Sequence, residues 1–361
     1  MKKILCLIDS IGAGGAQRQL VILASLLKKS NYDVSFAYYH KDTFYSPHLH
    51  QINIPAVQLN AHGKLSKFKT IRRYIISNKF DVVIAYLGGP VVLTCLTKIT
   101  TSKKFKIIVS ERSTSTCFRL SEAIRFLLYS IADYVVPNAE SQSKYLRRHY
   151  PFLRKKIHTI SNAIDTNTFS PADVPPTFMQ NKILKTLVVA RISPEKNIER
   201  IILSLKILKE KNVFVIIEWF GHNRDYSYYE RCIKLAELHK VADRIHFHEP
   251  ITNIQQEYIK YDTFCLPSLY EGFPNALCEA MSCGVPVLCS NVCDNPLIAT
   301  ENINGHLFNP LDVNSIAQAF EKMSKHSSEE IITMRKVNRE KALHMFSKKT
   351  FINKYLKLIE N

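Results

Sequence analysis

The sequence lacks any hydrophobic run long enough to cross a lipid bilayer. Its longest apolar stretch, residues 82–97, is interrupted by Gly-Gly-Pro and falls short of the roughly 20 residues that a membrane-spanning helix requires. Near the start, Asp9 and Ser10 end the first apolar run too early for the core of a secretory signal. We therefore expect a cytoplasmic protein, or one that is peripheral on the cytosolic face of a membrane.

The patterns of common metal and nucleic-acid sites are also missing. The nine cysteines form no Cys-x-x-Cys pair, and Cys278, Cys283, Cys289 and Cys293 lack the spacing of a zinc site, so we expect reduced thiols. No Asp-x-Asp occurs, which removes a carboxylate pair for a diphosphate-bound divalent cation, and we expect no metal requirement. No helix-turn-helix, zinc-finger or RNA-recognition pattern is found, so we expect no nucleic-acid partner.

Acidic residues are scarce in the first half of the chain, which is strongly basic. The net charge is +18; residues 1–165 hold 25 Lys and Arg against 9 Asp and Glu, whereas residues 166–361 hold 24 against 22. A basic half indicates an anionic partner, such as acidic lipid headgroups, a phosphorylated substrate or nucleic acid. The clusters at 64–73, 98–106 and 147–156 suit an anionic membrane surface. The alternative is a solvated basic face without a partner.

Short apolar runs alternate with helical patterns, which predicts two doubly wound α/β domains. Parallel sheets with helices on both faces have this pattern. The proline-rich segment 165–181 interrupts the alternation and is a linker candidate. The predicted strands are KILCLI, FAYY, DVVIAY, FKIIVS, DYVVP and KIHTI before this segment, and TLVVA, FVIIEWF, RIHFH, TFCLP, PVLCS and GHLF after it.

Two loops that follow predicted strands carry groups suited to phosphate, and ligands of such sheets bind beyond the carboxyl ends of strands. Residues 9–20 bring Gly12, Gly14 and Gly15 to a helix N-terminus, which favours anions. This loop matches neither the Rossmann fingerprint nor Walker A, so a tight turn is the alternative. Arg191 follows TLVVA and Lys196 precedes a helix, so the two cations could neutralise a diphosphate. Ordinary capping of that helix is the alternative.

A third loop places two glutamates around the start of a helix. Glu271 follows the strand TFCLP, and Glu279 lies in a helix that Asn275 is expected to cap. The N–H groups of a first helical turn hold phosphate or sugar oxygens, and carboxylates accept hydrogen bonds from hydroxyls. The spacing thus fits one ligand with hydroxyls at both ends and phosphates between. Two acidic residues that merely favour a helix N-terminus are the alternative.

The pattern Glu271-x7-Glu279, followed by Ala-Met-x-x-Gly-x-Pro-Val, resembles the signature of glycosyltransferase family 4, whose members are retaining, nucleotide-sugar-dependent enzymes of the GT-B fold. The resemblance extends to GAGGAQRQL, IHTISNAIDTNTFSP, VVARISPEKN and INGHLF. It implies two doubly wound, Rossmann-like domains that face a cleft. The expected divisions are an acceptor-binding domain at 1–168, a linker at 169–182, a nucleotide-sugar-binding domain at 183–340, and a C-terminal helix at 341–361 that packs back on the first domain.

The resemblance also implies roles for individual residues. Arg191 and Lys196 would hold the donor diphosphate, Glu271 would face the transferred sugar, and Glu279 would take the ribose hydroxyls. The first three of these are the expected catalytic residues. The other expected donor contacts are Gly272, Phe273, Asn275 and Ala276 beside Glu271, and Gly14 and Gly15 from the other domain.

The chain departs from the family pattern at four places. Ala163 in Ser-Asn-Ala replaces a usual glycine, and Ser110-Glu111-Arg112 stands where many members carry a histidine near the acceptor. Residues 221–224, Gly-His-Asn-Arg, replace a Gly-x-Gly-Pro turn, and Leu297 replaces a common glutamate. These changes bear on which sugar and acceptor are used more than on the type of reaction.

We therefore expect a hexosyltransferase that moves a hexose or N-acetylhexosamine from a nucleotide-diphosphate sugar, with a UDP-sugar favoured. The expected acceptor is a glycan or a lipid-linked glycan in polysaccharide, lipopolysaccharide or glycolipid assembly. No cofactor beyond the donor is expected, and the basic N-terminal domain would meet an anionic membrane. The alternatives are a GT-B-type sugar-nucleotide epimerase, which needs no acceptor, and a basic nucleic-acid-binding protein.

Overall fold

A computed structural model describes residues 1–112, 120–174, 176–223 and 225–361. Within these ranges the chain forms two compact units. Unit 1 comprises Met1–Ala163 and Lys348–Asn361, and unit 2 comprises Ile164–Ser347. The sequence places the first domain boundary at residue 168, five residues beyond the end of the first stretch of unit 1.

Unit 1 is a parallel sheet with helices on both sides. Its strands are β1 (Lys3–Leu7), β2 (Asp33–Tyr38), β3 (Ala56–Gln58), β4 (Val82–Tyr86), β5 (Lys106–Glu111) and β6 (Tyr134–Pro137). Its helices up to residue 163 are α1 (Gly15–Lys29), α2 (Ser46–Gln51), α3 (Lys64–Ser77), α4 (Gly88–Ile99), α5 (Leu120–Tyr129) and α6 (Glu140–His149). The strand order is β3-β2-β1-β4-β5-β6.

Unit 2 repeats this arrangement. Its strands are β7 (Ile183–Val189), β8 (Phe214–Phe220), β9 (Ile245–His248), β10 (Thr263–Leu266), β11 (Val287–Ser290) and β12 (Gly305–Phe308). Its helices are α7 (Ile198–Glu210), α8 (Tyr226–Leu238), α9 (Gln255–Tyr258), α10 (Asn275–Ser282), α11 (Asn295–Ile298), α12 (Val313–Ser324) and α13 (Ser328–Phe346). The strand order β12-β11-β10-β7-β8-β9 matches that of unit 1, so the prediction of two doubly wound, Rossmann-like domains is confirmed.

Both faces of each sheet are apolar, which is why the strands read as nearly continuous hydrophobic runs. In β1, Ile4 and Cys6 belong to one core cluster, whereas Leu5 and Leu7 belong to the cluster on the opposite face. Successive side chains of a strand point to opposite faces, so burying both requires helices on both sides. The prediction of parallel sheets covered on both faces is therefore confirmed.

The last helix, α14 (Lys348–Glu360), belongs to unit 1 although it follows all of unit 2 in the chain. Five side chains on one helical face enter the core cluster that contains α1 and one face of the sheet. They are Phe351, Ile352, Tyr355, Leu358 and Ile359. The Tyr355 hydroxyl lies 2.8 Å from that of Tyr86 at the end of β4. The sequence predicts a single C-terminal helix from residue 341, whereas residues 341–346 end α13 in unit 2.

Three local predictions differ from the structure. KIHTI is not a strand: Ile157 makes an isolated bridge to Val135 and the chain then leaves the sheet. The sequence reading missed β3 because it is only three residues long. It also treated Gly88-Gly89-Pro90 as an interruption, but these residues form the first turn of α4. Proline is tolerated there because a first-turn N–H has no intrahelical partner.

Each sheet has one point where the winding direction reverses. In unit 1 it lies between β1 and β4, and in unit 2 between β10 and β7. Loops at the carboxyl ends of these strands form the binding crevice of doubly wound sheets. Among the described residues, none of the helices is both long and apolar enough to cross a membrane.

Unit 2 buries a histidine that should make its stability depend on pH. His306 is 1% exposed; its Nδ1 lies 3.1 Å from Glu301, and its Nε2 lies 2.9 Å from Nε2 of His326. Burial lowers the pKa of His306, although the hydrogen bond to Glu301 acts in the opposite direction. Folding therefore favours the neutral form of His306. Its contribution to the free energy of unfolding is complete above about pH 6.5, the pKa of histidine in the unfolded chain.

We expect the free energy of unfolding to fall as the pH is lowered from about 7.5 to about 5.5, because His306 must gain a proton on unfolding. Urea denaturation at several pH values measures this dependence. The variant His306→Gln should show a shallower slope, whereas His40→Gln, at an exposed position, should keep the parent slope. If the free energy of unfolding of His306→Gln changed with pH as steeply as that of the parent, His306 would not be the source of the pH dependence.

Candidate active site

The loops after β7 and β10 meet because these two strands are parallel neighbours. Arg191 follows β7, Lys196 ends a short 3₁₀ turn (Pro194–Lys196), and Glu271 lies in the loop after β10. The Leu269 N–H donates to the Glu195 carbonyl over 2.9 Å, which ties the loops together through their backbones. The structure therefore gathers the three predicted catalytic residues at the carboxyl edge of the sheet of unit 2.

Lys196 and Glu271 form a partly buried ion pair. The Lys196 Nζ lies 2.6 Å from Glu271 Oε1 and 3.3 Å from the Ser268 hydroxyl oxygen. The Ser268 hydroxyl donates to the same carboxylate oxygen over 2.6 Å. The two charged side chains are only 13% and 12% exposed, so solvent screens them less than an ordinary surface pair. Their geometry is thus fixed before any ligand binds.

Arg191 is held more loosely. Its side chain is 55% exposed and its Nη2 lies 3.1 Å from Glu195 Oε1. Burial raises the pKa of Glu195, but hydrogen bonds from Ser193 and from its own backbone, with the charges of Arg191 and Lys196, outweigh it and lower the pKa overall. Glu195 therefore stays ionised and orients Arg191 at the rim of the site.

Asn197 fixes the loop that carries Lys196, and the sequence did not reveal this role. Its backbone is left-handed, with φ of 65°, a conformation that asparagine tolerates better than most residues. Its side-chain amide donates to the carbonyls of Pro267 (3.1 Å) and Pro310 (2.8 Å). Asn197 therefore joins the start of α7 to the loop after β10. An asparagine directly before an apolar helical pattern was the available signal.

The N-terminus of α10 lies just after Glu271. The prediction that Asn275 caps this helix is wrong: Asn275 is the first helical residue, and Pro274 precedes it without a side-chain cap. Gly272, Asn275 and Ala276 are partly exposed, whereas Phe273 is buried and its ring packs 5.9 Å from that of Phe346. Phe273 thus anchors the loop, and the other three line the helix start.

Glu279 lies one turn further into α10 and is 6% exposed. The hydroxyl of Tyr258, on α9, donates to Glu279 Oε2 over 3.2 Å. Tyr258 is another residue that sequence reasoning missed, because no linear pattern connects it with Glu279. On the other side of the loop, the N–H of Glu271 donates to Cys293 Sγ over 3.4 Å. Glu279 is therefore contacted from α9, and the backbone of Glu271 from the loop after β11.

The glycine loop of unit 1 occupies the equivalent edge of the other sheet. Gly14 is the N-cap of α1 in an extended conformation, Gly15 is its first residue, and the first turn contains no acidic residue. A Cβ added at Gly15 would meet no atom within 4 Å, whereas one at Gly12 would collide with the carboxylate of Asp42. The backbone at Gly15 is therefore open to a ligand, whereas a side chain at Gly12 would have to displace the carboxylate of Asp42.

The site of unit 2 combines cations, a helix N-terminus and two carboxylates, which suits a ligand with both phosphates and hydroxyls. Within the four described ranges, no group of three or more His, Cys, Asp or Glu residues could hold a metal ion.

Two family models match the chain, one on each half. The model described as Glycosyltransferase Family 4 matches residues 13–168, and that described as Glycosyl transferases group 1 matches residues 175–342. Two Rossmann-like domains with these matches define a glycosyltransferase of the GT-B fold. The chain belongs to glycosyltransferase family 4, and the prediction of a transferase is confirmed.

Named relatives and solved structures agree with this assignment. The chain is 25% identical to an amylovoran biosynthesis glycosyltransferase of Erwinia amylovora, over 80% of each chain. It is 22% identical, over 81% of each chain, to the Campylobacter jejuni N-acetylgalactosamine-N,N'-diacetylbacillosaminyl-diphospho-undecaprenol 4-alpha-N-acetylgalactosaminyltransferase. The Anabaena protein HepE, solved with UDP, superposes with a TM-score of 0.84 over 100% of both chains at 16% identity. HepE has also been solved with UDP-glucose.

Proposed function

We propose that this protein transfers a hexose or N-acetylhexosamine from a UDP-sugar to a lipid-linked glycan, with retention of configuration, during cell-surface polysaccharide or lipopolysaccharide assembly. The observation that carries the proposal is the Lys196–Glu271 pair beside the uncapped N-terminus of α10. A nucleotide sugar presents a diphosphate between two sets of hydroxyls, and this site combines the cations Lys196 and Arg191 with the carboxylates Glu271 and Glu279.

The donor would be held by groups that match its parts in order. Lys196, Arg191 and the first turn of α10 face the diphosphate, with backbone groups from Gly272 to Ala276 beside it. Glu271 accepts hydrogen bonds from the transferred sugar, and Glu279 accepts them from the ribose. UDP is favoured because HepE, which has the same fold, binds UDP and UDP-glucose.

Retention follows most simply from attack on the face that the diphosphate leaves. The bond from the anomeric carbon to the diphosphate oxygen breaks, and a bond to the acceptor hydroxyl oxygen forms on the same side. The nucleoside diphosphate leaves with the electron pair of the broken bond. The proton of the acceptor hydroxyl passes to the departing phosphate. Lys196 and Arg191 stabilise the negative charge that grows on the leaving group. No cofactor beyond the donor takes part in this scheme.

The acceptor side of the proposal rests on relatives and on charge. The Campylobacter relative is named for a diphospho-undecaprenol-linked substrate, and the Erwinia relative for polysaccharide biosynthesis. The basic residues of the first half would hold the protein on the anionic cytosolic face of a membrane, where such lipids are displayed. Sedimentation with anionic vesicles that weakens as salt rises is the expected behaviour.

A thermal-shift panel with the variant Glu279→Gln tests the donor site. The ligands are UDP, GDP, UDP-glucose, UDP-galactose, UDP-N-acetylglucosamine, UDP-N-acetylgalactosamine and GDP-mannose. A ligand that binds the folded state raises the unfolding temperature. We expect UDP and the UDP-sugars to raise the unfolding temperature. Their apparent affinity should be about tenfold lower in Glu279→Gln, because an amide replaces the charged group that accepts hydrogen bonds from the ribose hydroxyls.

The exposed position Glu340 provides the matched control, and Glu340→Gln should respond as the parent does. No shift with any nucleotide, or an equal shift in Glu279→Gln, would overturn the donor assignment. Conversion of the donor to an epimer without added acceptor would favour the epimerase alternative.

A further inference from the structure

Unit 1 contains a cavity of about 930 Å³ that lies apart from the glycine loop and is lined by three helices. This volume is within the range of pockets that hold small organic ligands. Tyr39, which follows β2, and Gly88 and Gly89, which follow β4, place the cavity at the carboxyl edge of the sheet. The Tyr39 N–H donates to the Asp9 carbonyl over 3.0 Å, which connects the cavity wall to the start of the glycine loop.

The walls of the cavity are mainly apolar. Leu65 and Phe68 line it from α3, and Val92, Leu93 and Leu96 line it from α4. The α4 residues lie at helical spacing, so they form one continuous face. Leu65 is 66% exposed, and the other four are partly exposed, although Leu93 also packs against the core. Water therefore contacts an apolar surface that a hydrophobic ligand would cover.

The same cavity has cations along its rim. Lys64, Lys67 and Arg125 line it, and the Lys67 Nζ lies 4.8 Å from the centre of the Tyr39 ring. Arg125 lies 3.5 Å from Glu111 and 3.7 Å from Glu122, so its charge is shared with carboxylates. In contrast, α3 contains five Lys and Arg residues and no Asp or Glu. Its two lysines at the rim therefore supply a net positive charge.

Two glycines give these rim side chains their space. A Cβ at Gly89 would lie 2.8 Å from the Tyr39 hydroxyl, and one at Gly88 would lie 3.0 Å from Arg125 Nη1. Contacts this short would force Tyr39 and Arg125 to move. The Gly-Gly start of α4 thus keeps an aromatic ring and a guanidinium at the mouth of the cavity.

We propose that this cavity binds the first isoprenoid units and the diphosphate of the lipid-linked acceptor, an inference that rests on the proposed function. A hydrophilic glycan would leave five apolar side chains against polar groups. A neutral lipid would leave Lys64 and Lys67 without a counter-charge. An isoprenoid diphosphate satisfies both, with its chain along α4 and its diphosphate at the lysines. The Tyr39–Asp9 hydrogen bond would link the occupied cavity to the start of the glycine loop.

Isothermal titration calorimetry with farnesyl diphosphate, in the presence of excess UDP, tests this proposal. The excess UDP prevents the probe diphosphate from occupying the Arg191 and Lys196 site. We expect Leu96→Gln and Lys67→Gln each to weaken binding at least about tenfold. Ile99→Gln on α4 and Lys69→Gln on α3 change exposed residues outside the cavity lining and should bind as the parent does.

Farnesol and inorganic diphosphate separate the two halves of the probe, and each should bind at least about tenfold more weakly than farnesyl diphosphate. If inorganic diphosphate bound as tightly as farnesyl diphosphate, the cavity would be an anion site only, and the proposal would be overturned. Equal weakening in the control variants, or none in Leu96→Gln, would also overturn it.

The UDP thermal shift of each variant keeps this outcome separate from the proposed function. A parent protein that binds UDP but not farnesyl diphosphate would disprove the cavity assignment alone. Failure to bind any nucleotide would instead disprove the donor site, and the calorimetry without UDP would then report on the cavity independently.

Discussion

Replacing Lys196 by glutamine is expected to lower kcat by roughly a hundredfold to a thousandfold, the usual loss when one preorganised group that stabilises a developing anion is removed. Lys196 is rigidly held at 2.6 Å from Glu271 and is only 13% exposed, so its charge acts in a weakly screened environment. UDP release from the donor sugar that gives the largest thermal shift measures the effect. We expect kcat to fall more than the affinity for UDP, since the leaving diphosphate gains charge in the transition state.

Two further variants provide a comparison within the site and a control outside it. Arg191→Gln should cost less, because the Arg191 side chain is 55% exposed and water can partly replace it. Lys206→Gln removes an exposed lysine on α7 that pairs with Glu210, and it should leave kcat unchanged. A kcat for Lys196→Gln within twofold of the parent, with its unfolding temperature preserved, would show that Lys196 does not act on the leaving group.

Removing α14 by truncation after Ser347 is expected to unfold unit 1. Five buried side chains of this helix are part of its core, and burying each contributes about 1.5–3 kcal/mol. Their sum is comparable to the roughly 5–15 kcal/mol that stabilises a whole domain. Hydrogen exchange measured by mass spectrometry should show that protection is lost in β1, β2 and β4 and kept in the strands of unit 2.

A double variant on the opposite face of α14 provides the control. Lys354 and Lys357 are exposed, so replacing both by alanine should preserve protection throughout unit 1. Protection of β1 that survives the truncation would mean that the remaining helices suffice to fold the sheet.

Strand-to-helix alternation was readable because buried parallel strands are strongly apolar, as β4 is throughout and β5 is at its centre. Short or ambiguous segments were not: Ala56–Gln58 is too brief to give a period, and the Gly-Gly-Pro start of α4 has the composition of a turn. The spacing of apolar residues in α14 indicates which side chains it buries. It does not indicate which of the two sheets the helix packs on.

The candidate site was predicted wherever chemistry and sequence position coincide. Arg191, Lys196 and Glu271 each follow a strand, and strand pairing brings their loops together. Ser268, Asn197 and Tyr258 escaped prediction because their roles depend on hydrogen bonds between segments that are distant in sequence. The cavity of unit 1 escaped for the same reason, since its lining comes from three helices and no single segment shows the pattern.

The position of α14 also determines the order in which the protein can be made. The segment Ile164–Ser347 is continuous, so unit 2 has all its parts once that segment has left the ribosome. Unit 1 is begun first but lacks α14 until the intervening residues are translated, which takes roughly 10–40 s at about 5–20 residues per second. During that interval the sheet face bearing Ile4, Phe36 and Ile84 has no α14 to cover it. Unit 2 can therefore complete its set of helices and strands before unit 1 does, while part of the apolar core of unit 1 lacks its cover.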